Sequence, residues 1–358
     1  MQSLNPQYLE RLSFTADHLA ALRALGEFRG KQSLYFHQAP ETLKTLRQAA
    51  QIESTESSSR IEGVTVAPGR LEPLVLKRTD PRNRSEQEVA GYRDALALIH
   101  ESAREMAFSG NVVLQLHGML YRYMPQRGGR WKNSPNEITE TLADGSKRVR
   151  FTPTPPHLTP IQMDELAAGY ARALDAHHQD PLVLVPLVVL DFLCIHPFTD
   201  GNGRVARLLG LMLLYQNDYE VGRYISLERI IEQSKESYYE TLEKSSAGWH
   251  EGQHDAMPWL EHFWGTLIRA YREFEERVHR VRTVPGAKTE QVRLAVSRRP
   301  QPFAISDIEA ECAEVSRDMV RHVLRQMREE GLIEVIGRGR GAKWRQLTGN
   351  RNTDATAS

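Results

Sequence analysis

The chain has 358 residues, 40% of them hydrophobic and 26% charged, with 46 Lys+Arg balanced by 46 Asp+Glu. That length asks for two or three cores, and a formal charge of zero excludes a global pull toward nucleic acid or anionic membrane, so any such binding has to come from a local patch. The two cysteines, Cys194 and Cys312, lie far apart and outside any Cys/His ladder, which excludes a disulfide scaffold and a zinc site and points to a reducing compartment.

The opening Met1-Gln-Ser-Leu-Asn-Pro6 lacks the basic and apolar stretches of a secretory signal, so the expected location is cytoplasmic. From Gln7 to about Arg47, Leu9, Leu12, Leu19, Leu22 and Leu25 recur at roughly helical spacing. The serine-crowded stretch Glu53 to Gly63 has the composition of a linker. On a helix, however, its Ser58 and Glu62 stand at i and i+4 and share one face. Residues 1–83 are expected to form an N-terminal helical region.

Residues 84–282 are expected to form a second, mainly helical domain. Its predicted helices are Ser85–Ala107, Val112–Tyr123, Ile161–His177, Leu182–Ile195, Arg204–Asn217, Ser226–Ser245 and Pro258–His279. The most apolar of them, Leu182–Ile195, is short for a membrane span and is interrupted by Pro186 and Asp191, so it reads as a core helix and no membrane partner is expected. Between Gly129 and Pro153 the pattern changes. Glu137–Leu142 and Lys147–Phe151 are β-prone and flank Ala143-Asp-Gly-Ser146, which predicts a hairpin.

Thr283-Val-Pro-Gly-Ala287 breaks the helical pattern and marks a boundary. Beyond it, helices are predicted over Lys288–Val296, Ser306–Cys312 and Ser316–Glu330, then strands around Leu332–Ile336 and Ala342–Leu347. This helix–helix–helix–hairpin order, over residues 285–347, resembles a winged helix. Arg317, Arg321, Arg325 and Arg328 on the third helix, with Arg338, Arg340 and Lys343 in the wing, would face DNA, diluted by Asp318, Glu329, Glu330 and Glu334. Dimerisation or target docking are the alternative roles, so a homodimer stands beside DNA among the expected partners. Residues 348–358 are small and polar and are expected to be disordered.

The chemistry concentrates where the apolar helix ends. His196 follows it, and Asp200-Gly-Asn-Gly203 forms a tight loop opening into the Arg204 helix. The glycines permit positive φ and close approach of a ligand, and successive amides at a helix N-terminus make an anion nest. Arg204 and Arg207, about one turn apart, can hold two phosphates; Asp200 can ligate Mg²⁺; His196 can act as a general base on a hydroxyl. There is no GxxxxGK[ST], so this is polyphosphate chemistry without a P-loop.

His196-Pro-Phe198-Thr-Asp200-Gly-Asn-Gly-Arg204-Val-Ala-Arg207 resembles the Fic-family motif HxFx(D/E)GNGRxxR at every fixed position. The resemblance implies a mainly α Fic-type core with one β-hairpin flap, plus the C-terminal winged-helix (α+β) module. It implies that His196 deprotonates a Ser, Thr or Tyr hydroxyl of a target protein, which attacks the α-phosphorus of ATP, with Phe198 anchoring the loop. Asp200 would hold Mg²⁺, and Gly201, Asn202 and Gly203 would cradle the phosphates. Arg204 and Arg207 would bind the β- and γ-phosphates.

Ser58-Ser-Arg-Ile-Glu62-Gly63 resembles the family's inhibitory motif [S/T]xxxE[G/N], which implies that Glu62 pairs with Arg207 in place of the γ-phosphate. The hairpin over 137–151 stands where the family has its flap, after a Gly-Arg pair like Gly129-Arg130, and would align a target segment by strand addition. Tyr238 and Tyr239 stand where the family puts residues near the nucleotide base, with a core role as the alternative. Two other functions remain open at this level: removal of AMP with Glu62 positioning a water, and a DNA-binding regulator that uses the Fic core as a sensor.

Overall fold

A computed structural model describes residues 2–38, 40–67, 69–141, 145–177, 179–283, 287–297, 299, 301–312, 315–337 and 342–347. The chain divides into two units, Met1–Glu275 and Glu276–Ser358. The sequence placed boundaries at residue 83 and at 283–287. Instead residues 1–83 and the helical domain after them are one unit, because the serine-rich stretch is packed inside it. Residues 284–286 and the tail 348–358 lie outside the described residues.

In the first unit α1 (Pro6–Arg11), α2 (Ala16–Gln38) and α3 (Pro40–Ile61) come first. α3 takes in the stretch of linker-like composition. Its Ser54, Ser57, Ser58 and Ser59 are buried, since short hydroxyl side chains let neighbouring helices approach closely. α4 (Leu71–Val75) leads to α5 (Arg84–Ser102), capped by the Asn83 side chain on the Glu86 N–H, and a 3₁₀ turn at Ala103–Glu105 leads to α6 (Gly110–Leu120). The antiparallel strands β1 (Ile138–Thr141) and β2 (Lys147–Phe151) form the predicted hairpin, with Glu140 opposite Arg148 and an irregularity between Ile138 and Thr139. The Leu142–Asp144 part of its turn lies outside the described residues.

α7 (Thr159–Asp175) packs on α8 (Pro181–Ile195), the centre of the unit, where every residue from Leu182 to Ile195 is buried. Pro186 sits inside α8 and has no N–H for the Leu182 carbonyl. The Trp264 indole takes that carbonyl at 2.8 Å, and the Trp259 indole takes the carbonyl of Pro186 itself at 2.8 Å. The second helix breaker, Asp191, is fully buried and accepts from Trp249 Nε1 at 2.5 Å, from the Ser3 N–H at 3.2 Å and from the Ser3 hydroxyl. Burial still pushes its carboxyl up to about 6.

α9 (Asn202–Gln216) packs on α8. The helix predicted over Ser226–Ser245 is two helices, α10 (Leu227–Gln233) and α11 (Lys235–Ser246). Between them Ser234 leaves the helical region at φ −120° and ψ 31°, and its hydroxyl bonds the Ile230 and Ile231 carbonyls that a continuing helix would use. The division between the units falls within the long α12 (Met257–Thr283).

The second unit contains α13 (Ala287–Ser297), α14 (Ile305–Glu311), α15 (Arg317–Glu329) and the antiparallel pair β3 (Ile333–Ile336) and β4 (Lys343–Gln346), in the order read from the sequence. It has its own core, including Val292, Val296, Ile308, Val320, Leu324 and Trp344. Arg338 and Arg340 lie outside the described residues. No helix among the described residues is long and apolar enough to cross a membrane.

Candidate active site

Helix α8 ends at His196, which adopts the left-handed conformation at φ 50° and ψ 61° while its N–H still bonds the Phe192 carbonyl at 2.9 Å. Its Nδ1 lies 3.2 Å from the Leu193 carbonyl, an acceptor only, so Nδ1 carries the proton and the Nε2 lone pair is left for chemistry. Burial, with the Lys132 ammonium helping, lowers its pKa to about 4, against opposing pulls from Glu62 and Asp200. At neutral pH the imidazole is therefore an uncharged base.

The turn after His196 is closed by Asn202. Its side chain accepts from the Phe198 N–H at 2.9 Å and donates to the Phe198 carbonyl at 2.7 Å, and it is itself buried. The carboxamide thus shapes the loop, while its second N–H remains for the cradling contact read from the sequence. Gly201 then caps α9 at φ 86°, a conformation that favours glycine, leaving the first-turn N–H groups of α9 without helical partners. The Phe198 ring stacks on His117 at 3.7 Å and on Trp131 at 5.4 Å.

A cleft with about 700 Å³ of empty space, open to solvent, lies beside this turn. His196, Gly203 and Arg207 line it with Glu62 from the end of α3, Tyr238 and Tyr239 from α11, and Ile138, Arg150 and Phe151 from the hairpin. Arg207 is buried and donates to Glu62 Oε1 at 2.8 Å, to the Ser58 hydroxyl at 3.0 Å and to the Ser58 carbonyl at 3.1 Å. Ser58 and Glu62 thus meet the arginine from one face of α3. Tyr238 is buried and Tyr239 half-buried, their rings edge to face at 5.2 Å. The hairpin is tied over the cleft by Arg148 and Arg150, both paired with Glu243 of α11.

The motif's two other charged residues stand apart from this lining. Arg204 is buried and donates to Glu88 of α5 at 2.8 Å, with Asp200 at 3.5 Å, while its Nε has no partner. Asp200 is exposed and accepts from Tyr121 at 3.0 Å and from the Gly201 N–H at 2.7 Å. No group of three or more His, Cys, Asp or Glu side chains is placed to hold a metal among the described residues. Mg²⁺ bound with nucleotide needs only a carboxylate or two, because phosphates and water supply the other oxygens. Asp200, with lone pairs left on both oxygens, fits that demand.

Several residues of the site escaped sequence reasoning. Lys132 is buried, and its ammonium donates to the Ile195 carbonyl at 3.0 Å and to Asn136 Oδ1 at 2.8 Å, while its N–H bonds the Pro197 carbonyl at 2.9 Å. The Asn136 amide lies 3.1 Å from the Phe198 carbonyl and 3.4 Å from that of His196. His117 accepts the Gly129 N–H at Nδ1, so its Nε2–H donates to the Asp200 carbonyl at 3.1 Å. The Gly129-Arg130 pair marked this neighbourhood in the sequence, but nothing singled out Lys132.

Residues 107–214, which hold the whole His196–Arg207 segment, match the model of the Fic/DOC family. The chain carries a Fic domain. Its curated relatives include Protein adenylyltransferase Fic of Drosophila ananassae, 23% identical over 256 residues, covering 69% of this chain and 45% of that protein. Protein adenylyltransferase Fic of Drosophila willistoni is 24% identical over 261 residues, covering 69% and 48%. The chain thus spans less than half the length of these relatives. Among solved structures, a Fic family protein from Desulfovibrio desulfuricans superposes with a TM-score of 0.61 at 23% identity, over 95% of this chain and 99% of that one. A Fic domain containing signaling protein from Bacteroides thetaiotaomicron gives 0.60 at 21%, over 72% and 98%. At such identities the likeness speaks for the fold: a mainly helical Fic core carrying one hairpin.

Proposed function

We propose that the Fic domain transfers AMP from ATP to a Ser, Thr or Tyr hydroxyl of a protein, its own chain included, and that Glu62 holds this activity off. The observation that carries the reading is a neutral His196 with a free Nε2 in the same cleft as Arg207, which Glu62 occupies. The hydroxyl proton passes to His196 Nε2 as the oxygen attacks the α-phosphorus. The bond to the β-phosphate oxygen breaks, and pyrophosphate leaves. Asp200 would hold Mg²⁺, which when bound supplies positive charge to the phosphates. Free N–H groups at the start of α9 would receive phosphate oxygens, and Arg207 the γ-phosphate once Glu62 withdraws. The hairpin would present the target segment by strand addition.

A charge-assisted hydrogen bond is worth about 2–3 kcal/mol, so losing the Glu62–Arg207 bond should raise the productive population on the order of 30- to 150-fold. Full-length protein and Glu62→Gly, incubated with α-labelled ATP, GTP, CTP or UTP and a lysate, test this. The variant should gain label from ATP by that factor, and His196→Ala in the same background should lose it while still binding nucleotide. Glu62 also shares the cleft with His196, which supports a second reading, removal of AMP by a Glu62-positioned water. Under that reading Glu62→Gly loses activity on an AMP-modified protein.

For the second unit we propose DNA as partner, on the strength of Arg325 and Arg328, exposed on α15 with no ion pair among the described residues. Arg317 and Arg321 are less free, each facing an acidic neighbour, Glu309 and Asp318. The full chain should retard duplex DNA in a salt-dependent way, and Arg325→Ala/Arg328→Ala should not. No retardation at low salt favours dimerisation or protein docking.

A further inference from the structure

His196 pays for its position. A left-handed backbone costs a residue with a Cβ about 1–2 kcal/mol and persists only where the surroundings over-determine it. Besides Asn202, the side chains that bond the carbonyls of this turn come from the segment between α6 and β1. Four successive carbonyls, Ile195, His196, Pro197 and Phe198, face Lys132 and Asn136: the Lys132 ammonium and N–H take the first and third, and the Asn136 amide faces the second and fourth. The Lys132 ammonium also stands at the C-terminal end of α8, where the last carbonyls gather negative charge. Among the described residues it is the buried cation without a carboxylate partner, since Arg93, Arg204 and Arg207 each have one.

We propose that Lys132 and Asn136 are positioning residues for the base: together they hold the 195–198 turn so that His196 Nε2 faces the cleft, with the Lys132 charge standing at the adjoining Ile195 carbonyl. The other charged groups acting on His196 are Glu62, just beyond α3, and Asp200 of the loop before α9, and both favour the imidazolium. Lys132 opposes them. Its own pKa falls to about 8 on burial, so it remains mainly charged at neutral pH.

The catalytic half of this inference rests on the transfer reading above, and the test separates the two. Full-length Glu62→Gly protein is compared with the same chain carrying Lys132→Met or Asn136→Ala, reading steady-state transfer from ATP and the NMR titration of the His196 imidazole. Lys132→Met should lower kcat about ten-fold or more with KM for ATP within about two-fold, and should move the His196 titration upward. Asn136→Ala should lower kcat and leave the titration in place, because the ammonium stays. An unmoved titration in folded Lys132→Met overturns the proposal whatever kcat does, since a merely structural loss would give that result. Unchanged kcat in both variants overturns it too. Should Lys132→Met fail to fold, Asn136→Ala decides through kcat and the His196 amide resonance, and neither moving overturns it. If no form of the chain transfers nucleotide, the transfer reading fails by itself, and the titration in Lys132→Met still decides whether Lys132 sets the protonation of His196.

Discussion

Gly203 has no room for a side chain while Glu62 is in place, because a Cβ there would overlap Glu62 Oε1 and crowd Arg207. Its backbone is ordinary helix, so alanine would otherwise be preferred by about 0.5–1 kcal/mol. Glu62 Oε1 is the end of a side chain that can swing away, so Gly203→Ala should cost the wild-type chain at most the worth of the Glu62–Arg207 bond, about 2–3 kcal/mol, and stabilise Glu62→Gly slightly. Denaturant unfolding of the four proteins of that cycle checks it; equal effects in both backgrounds would mean that the two residues do not compete for space. The partnership of Ser58, Glu62 and Arg207 was legible, since i and i+4 spacing puts the first two on one face and the motif marks the third. Lys132 and Asn136 were not, because their partners are main-chain carbonyls, which every sequence offers everywhere.

At the level of elements, α3 is seated from outside the motif. Arg60 pairs with Glu232 at 2.7 Å, Arg229 joins Glu53 at 3.0 Å to Glu273, and the Lys235 ammonium bonds the Ile61 carbonyl at 2.7 Å where the helix ends. Removing the half-exposed Arg60–Glu232 pair is worth at most about 1 kcal/mol, so Glu232→Ala should raise transfer by only about two- to five-fold. It should also speed amide exchange over residues 57–62. A rise as large as that of Glu62→Gly would mean that the seat, and not the carboxylate, is the restraint. The helix itself was legible despite its linker-like composition, from the i and i+4 placing of Ser58 and Glu62; what hydroxyl-rich composition cannot report is that α5, α9 and α10 close over it. The break at Ser234 was hidden for the opposite reason: the apolar period runs through it, and the serine's bonds to carbonyls leave no trace in the pattern. The hairpin was plain from its alternation and turn residues.

Across the whole molecule, burial holds His100 at about 3 and His117, His196 and His254 at about 4, against an ordinary value of 6.5. Their folded pKa values are depressed, so the unfolded chain binds their protons first, and stability is lost as pH falls from about 6.5 toward 4. Asp191 works the other way, since its folded pKa is raised, and it returns part of that stability between about 6 and 4. Four imidazoles outweigh one carboxyl, so the melting temperature of the first unit should fall steadily between pH 7 and 4.5. Asp191→Asn should steepen the fall; a flat profile would mean that these side chains are hydrated. The helical class and the self-contained second core were legible from periodicity. The merging of residues 1–83 with the Fic domain was not, because packing between distant segments has no local period.

The indoles that repair α8 at Pro186 also give the protein a built-in optical gauge. Trp259 and Trp264 bond its backbone and Trp249 its Asp191, while Trp131 stacks on the Phe198 ring that follows the helix; of the five tryptophans only Trp344 belongs to the other unit. Native emission from this chain is thus weighted toward the one helix that delivers His196. Any ligand, acid or denaturant that disturbs that helix announces itself in unlabelled protein, with Trp344→Phe leaving a signal from the Fic unit alone.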